Sequence, residues 1–221
     1  RRLIDDTDLA MTKIAKQAGF ASVRRLNAAM REAFDRHPTE MRKAARRRHL
    51  NGKPGIVMRL SYRPPFDWHG ILEYFRHRAV SGVETVTGDT YRRTVRVGDH
   101  AGVIEVRRAQ ASEPVELRVL FDEPAGLLEI ATRTRTVFDL DADPQQIDGV
   151  LSRDPRLAPL VAARPGLRVP GGWDAFEVGV RAILGQQISV AAATTLAGRL
   201  ADRYGEPCAA AESMGLSRLF P

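Results

Sequence analysis

The chain has 221 residues, enough for one large domain or two ordinary ones, and its 43% hydrophobic and 28% charged content is that of a globular protein with a buried core. No apolar stretch approaches the ~18–20 residues of a membrane span, and the one cysteine, Cys208, excludes a disulfide framework or a cysteine-based zinc site within the chain. The opening run Arg1-Arg2-Leu3-Ile4-Asp5-Asp6 is not a signal peptide, so a cytoplasmic setting is expected. The net charge of +7 is unevenly held: residues 1–53 carry 14 Lys and Arg against 6 Asp and Glu, and the remainder 20 against 21. A surplus confined to one end points to a polyanion-binding module beside a near-neutral body, with an ordinary solvated basic face as the alternative. The opening at Arg1 and the mid-domain character of Gly215–Pro221 read as a piece of a longer polypeptide.

In chain order, Thr12 is placed to cap a helix over Lys13–Ala18 that Gly19 ends. Ser22 caps a second helix to about Asp35, stopped by His37-Pro38. On that helix Val23, Leu26, Met30, Ala33 and Phe34 share one apolar face. Arg24, Arg25 and Ala28 lie opposite, flanked by Asn27 and Arg31. A short helix, a glycine turn and a longer helix with outward arginines is a helix-turn-helix layout. A basic run containing Arg46, Arg47 and Arg48 and a linker at Asn51–Gly55 follow.

From Ile56 to Tyr62 the residues alternate as a strand does. Asp67 then caps a helix whose Ile71, Leu72, Phe75 and Ala79 share a face. Strands are expected near Val83–Val86, Tyr91–Val97, Gly102–Arg107 and Val115–Phe121, with a helix at Leu127–Arg135, an α+β module with mostly antiparallel strands. From Asp143 onward the pattern is helical. Asp143-Pro144 and Asp154-Pro155 each read as a cap plus first-turn proline. Asp174 with Glu177 reads as an acidic capping box, and Ser189 caps Val190–Tyr204, ended by Gly205.

Little of this carries catalytic chemistry. Asp139-Leu140-Asp141-Ala142-Asp143 lacks the glycine and terminal glutamate of a calcium loop. The five histidines show no metal-ligand spacing, Cys208 reads as a small buried hydrophobe, and no phosphate-binding glycine loop is present. No metal or other cofactor is called for.

Two stretches resemble known families. Leu9–Ala15, Ala18–Asn27, Phe34 and Pro38–Arg42 are similar to the second helix-turn-helix of AraC/XylS-type regulators. That resemblance implies base contacts at Arg24 and Ala28; the family's first motif is absent here. Tyr62-Arg63-Pro64-Pro65-Phe66-Asp67-Trp68, Arg78–Val86, Arg164–Gly171 and Asp174–Glu177 are similar to the N-terminal domain of AlkA-type 3-methyladenine DNA glycosylases. Arg181–Val190, with Gly185-Gln186-Gln187-Ile188-Ser189, resembles the start of their helix-hairpin-helix core.

The resemblance implies an α+β multidomain chain. A helix-turn-helix with basic linker spans 1–50, a TBP-like antiparallel α+β domain 56–143, and the first half of an all-α helix-hairpin-helix glycosylase core 144–221. Docking on DNA is expected from Arg24, Arg25, Asn27, Ala28, Arg31, Arg46, Arg47 and Arg48. Gln186 and Gln187 stand at the base-flipping wedge, with a glutamine that merely stitches two helices as the alternative for Gln187, and Tyr74 and Arg78 stand at the pocket rim. The family's catalytic aspartate and backbone-gripping hairpin are not found before Pro221, so this stretch alone is expected to be inactive. The implied activity is hydrolysis of the N-glycosidic bond of alkylated purines. The partner is double-stranded DNA, alkylated or bearing an operator, with no membrane, a monomeric state and a nucleoid location in a bacterium. A non-catalytic regulator of the alkylation response is the alternative.

Overall fold

A computed structural model describes residues 9–34, 55–108, 110–111, 113–121 and 126–221. The basic residues Arg46, Arg47 and Arg48 lie outside the described residues, as do the His37-Pro38 stop and the side chains of Ala33 and Phe34. Helix α1, Met11–Gln17, starts earlier than expected. Ala10 is extended before it and offers no side-chain cap, while Thr12 sits inside the first turn and so does not cap. Gly19, at φ +75°, ends the helix as expected. Its N–H donates to the Lys16 carbonyl at 3.2 Å and that of Phe20 to Ala15 at 2.8 Å, the paired bonds of a Schellman ending. Helix α2, Val23–Phe34, opens with the Arg25 N–H donating to Ser22 Oγ at 3.3 Å. Leu26 and Met30 are buried, as are Ile14 and Ala15 of α1.

The α+β part is a five-stranded antiparallel sheet of order β1-β5-β4-β3-β2. Its strands are β1 (Ile56–Leu60), β2 (Glu84–Thr87), β3 (Thr90–Val97), β4 (His100–Arg107) and β5 (Val115–Leu120). The first strand pairs with the last, so the meander β2 to β5 closes back on β1. Strand β1 stops at Leu60 rather than Tyr62. The Ser61 carbonyl there accepts from the Arg135 guanidinium at 2.8 Å, and Pro64 and Pro65 follow shortly after.

Helices α3 (Trp68–Arg78) and α4 (Leu127–Val137) cover one face of the sheet. Asp67 caps α3, accepting from the Gly70 N–H at 2.8 Å. Ile71, Leu72 and Phe75 of α3 and Leu127 and Ile130 of α4 are buried against Met58, Val95, Ile104 and Leu117. Ala79 is not on that face; it is the extended C-cap residue of α3. An aromatic cluster fills the centre, with Phe75 and Tyr91 ring centroids 4.8 Å apart and Trp68 stacked on Phe138 at 5.4 Å.

The rest is helical: α5 (Pro144–Leu151), α6 (Ala158–Ala163), α7 (Ala175–Leu184), α8 (Val190–Tyr204) and a 3₁₀ turn at Ala209–Met214. Asp143, Asp174 and Ser189 cap their helices as expected. Asp154 does not. Its carboxylate accepts from the Arg156 N–H at 2.8 Å in a local turn, and the helix begins at Ala158. A helix from Pro155 would put the Pro159 ring against the carbonyl four residues back; starting at Ala158 places that proline in the first turn, where no N–H is needed. After α8, the backbone N–H groups of Ser217 and Arg218 donate to the Gly82 carbonyl at 2.8 and 3.0 Å. Cys208, Ala211, Leu216 and Leu219 thereby pack on Val103, on the sheet face opposite α3 and α4.

Candidate functional site

A cavity of about 350 Å³ opens between the end of α3, strands β2 and β3, the Pro170–Trp173 segment, and helices α7 and α8. Its floor is ionic. Register places Glu84 of β2 opposite Arg93 of β3 on the helix-covered face, where an apolar pair would be ordinary. Helix α7 adds Glu177 and, one turn on, Arg181. Arg93 donates to Glu177 at 2.6 Å and lies 3.6 Å from Glu84. One Arg181 nitrogen donates to both Glu84 and Glu177 at 3.0 Å, and the other to the Arg78 backbone carbonyl at 2.6 Å. The Tyr91 hydroxyl and the Val80 N–H donate to Glu84 at 2.7 and 3.1 Å. Two carboxylates thus face two guanidiniums with no surplus charge.

Burial by itself would raise the Glu84 carboxyl; Arg93, Arg181 and the two hydrogen bonds overcome it and hold the group below the ordinary carboxylate range. Tyr91 is pushed well up, first by burial and then by the Glu84 charge. Burial opposes the charge on Arg93 and Arg181, but the facing carboxylates raise both. Both oxygens of Glu84 and of Glu177 accept hydrogen bonds within the cluster, so neither carboxylate presents an uncommitted oxygen to take a proton from water. Trp173 closes one wall, its ring 5.2 Å from the Arg93 guanidinium and 5.5 Å from that of Arg133.

Tyr74 and Arg78 line one lip of the cavity, and Gly185 and Ile188, which flank Gln186 and Gln187, line another part of it. Tyr74 is 39% exposed and the Arg78 guanidinium lies 4.1 Å over its ring. The Gly185–Ser189 turn joins α7 to α8. Gln186 is folded back, its amide donating to the Ala182 carbonyl of its own helix at 3.0 Å. Gln187 is exposed and held at φ +62°, a left-handed conformation uncommon for a non-glycine residue. The two glutamines therefore differ: one is tied to α7, the other is exposed in a left-handed backbone conformation.

On α2, Arg24, Arg25, Ala28 and Arg31 are exposed and Asn27 is half-buried, on the side away from Leu26 and Met30. Glu177, Arg93, Glu84, Arg181 and Trp173 were not singled out as site residues. Glu177 was expected in a capping box; Asp174 does accept from its N–H at 2.9 Å, but its carboxylate turns inward to the arginines. The available signal was Arg93, an arginine at an apolar-face position in the alternation Tyr91, Arg93, Val95, Val97. Among the described residues no group of three or more His, Cys, Asp or Glu is arranged to hold a metal ion, and no helix is long and apolar enough to cross a membrane.

Comparison with known proteins gives a consistent picture. The AlkA N-terminal domain family matches residues 57–174. The chain is 39% identical over 210 residues to a Mycobacterium tuberculosis protein named probable bifunctional transcriptional activator/DNA repair enzyme AlkA, covering 94% of this chain and 42% of that one. It is 42% identical over 147 residues to the Escherichia coli DNA-3-methyladenine glycosylase 2, covering 66% of this chain and 50% of that one. The chain therefore spans half or less of these relatives' lengths. A 3-methyladenine DNA-glycosylase from Archaeoglobus fulgidus shares the fold at TM-score 0.61 and 20% identity, over 75% of this chain and 55% of that one.

Proposed function

The chain belongs to the AlkA N-terminal domain family, and on that premise we propose that it is the DNA-docking and accessory portion of a regulator-linked glycosylase that removes alkylated purines from DNA. The carrying observation is the match over 94% of the chain to one relative named both activator and repair enzyme. Coverage that wide takes in most of α1 and α2, so the α1–α2 segment and the α+β part have counterparts joined in a single polypeptide.

In this reading the piece 1–50 is an AraC-type helix-turn-helix that holds the duplex, with phosphate contacts from Arg25, Arg31 and the Arg46–Arg48 run and edge contacts from Arg24 and Ala28. The α+β domain, 56–143, carries the Tyr74–Arg78 rim. The helices of 144–221 open the glycosylase core and present Gln187, whose amide fills the space of an extruded nucleotide and pairs with the orphaned base. Extrusion costs about a few kcal/mol and least for a damaged pair. The reaction adds water at the sugar C1′ as the C1′–N bond to the base breaks. A cationic alkylated base leaves without a general acid, and the group that stabilises the developing charge on the sugar is not one of the paired carboxylates Glu84 and Glu177.

The docking half of the proposal is tested by fluorescence anisotropy on random and candidate operator duplexes at several salt concentrations. Affinity should fall steeply with salt, with a log–log slope near about −0.9 per phosphate neutralised. Changing Arg46, Arg47 and Arg48 to alanine should weaken all duplexes and flatten the slope. Arg24→Ala should cost roughly 1–3 kcal/mol on a preferred site and little elsewhere. If deleting residues 1–53 leaves affinity and slope intact, the basic piece is not the anchor.

A further inference from the structure

The cavity's two lips come from different parts of the chain, yet one residue touches both, by its side chain at the end of α3 and by its backbone at the end of α7. The Arg181 guanidinium donates to the Arg78 carbonyl at 2.6 Å, at the end of α3, where a cation also meets the negative end of the helix. The backbone carbonyl of the same residue accepts from the Gly185 N–H at 3.0 Å, the first residue of the turn that carries Gln187. Its remaining bonds run to Glu84, which also holds the Val80 N–H just beyond α3, and to Glu177, which is anchored by Arg93. The Arg181 side chain, 28% exposed, therefore ties the helix that leads into the turn to the end of the helix that carries the rim pair.

We propose that Arg181 is a positioning residue that holds the Tyr74–Arg78 rim and the Gly185–Ser189 turn in register, so that both lips meet DNA as one surface. The inference rests on the glycosylase reading above and adds to it a residue that touches neither the base nor the backbone of the DNA. A purely structural ion pair would change stability alone. A positioning residue changes how well an already opened duplex is recognised, because a shift of about 1 Å between the lips misaligns the wedge with the gap it fills.

The test uses the full 221-residue chain and two duplexes, one intact and one carrying a tetrahydrofuran abasic analogue, in which the cost of extrusion is already removed. Arg181→Met leaves Glu177 on Arg93 and Glu84 on Tyr91, Val80 and Arg93, so both carboxylates keep partners. The variant should lose preference for the abasic duplex by roughly tenfold while binding the intact duplex as before. Hydrogen exchange should rise at residues 79–83 and 185–189 with β3 and β4 still protected. Arg181→Lys, which reaches only part of the acceptor set, should fall between, and it decides the matter if Arg181→Met fails to protect the sheet. Variants that keep the wild-type preference despite faster exchange overturn the inference and leave the glycosylase reading standing. A wild-type chain that binds both duplexes alike overturns the reading and the inference together.

Discussion

Replacing Glu177 by alanine removes the partner of a guanidinium that has almost no access to water. The side chains of Arg93 and Glu177 are 3% and 2% exposed, so solvent screening does not discount their interaction. Losing one member of such a pair typically costs about 3–5 kcal/mol, because the other is left charged and buried. Here Arg93 keeps Glu84 at 3.6 Å, which compensates part of its charge and places the expected loss near the lower end, about 3 kcal/mol. The start of α7 should survive, since Asp174 caps it through the backbone N–H of residue 177. Urea unfolding followed by circular dichroism gives the magnitude, and hydrogen exchange gives its place: α7 and the 79–83 loop should open before β3 and β4. The double variant Glu177→Leu/Arg93→Met, which removes both charges, should recover much of the loss. A cost below about 1 kcal/mol for Glu177→Ala, the worth of a surface ion pair, would refute the view that this cluster holds the helices to the sheet.

Three further outcomes follow from the same geometry. Glu84 titrates below its unfolded value of about 4.3, so its contribution is complete above that pH and is lost as the pH falls through the lower folded value; acid titration should loosen α7 in exchange experiments, and Glu84→Gln should abolish that step. Gly166 sits at φ +75°, where an added Cβ would stand 2.4 Å from the Pro65 carbonyl carbon, so Gly166→Ala should cost about 2–4 kcal/mol in thermal unfolding. Residues 144–221 should exchange faster than 56–143, since Ile183 is 74% and Leu196 39% exposed in the helical layer; equal protection would contradict this.

The sheet was legible because alternation reports which face a strand buries, and β3, β4 and β5 each lie within two residues of the expected bounds. Side-chain caps were legible wherever Asp or Ser stood directly before a helix, as at Asp67, Asp143, Asp174 and Ser189. They failed where a backbone alternative competed: Thr12 fell inside a helix that begins on an extended alanine, and Pro159 moved the start of α6 past Asp154. The ionic floor was not legible. Glu84, Arg93, Glu177 and Arg181 are spread over almost a hundred positions, and only pairing register and the packing of α7 bring them together. Local pattern explained Glu177 as a cap partner, and nothing local could show that its carboxylate turns inward. Tyr74, Arg78 and the Gln186–Gln187 turn stand out in the sequence, but only the structure shows that Tyr74, Arg78, Gly185 and Ile188 line one cavity.

The most direct test of the account is release of free base by a polypeptide extended past Pro221 to the length of the relatives it resembles. Methylated DNA is incubated with that polypeptide, and the liberated purines are separated by chromatography. The account predicts release of 3-methyladenine, reduced when Gln187→Gly removes the amide but keeps the left-handed turn. A folded, DNA-binding polypeptide that releases no base would contradict the glycosylase assignment and leave a DNA-binding regulator in its place.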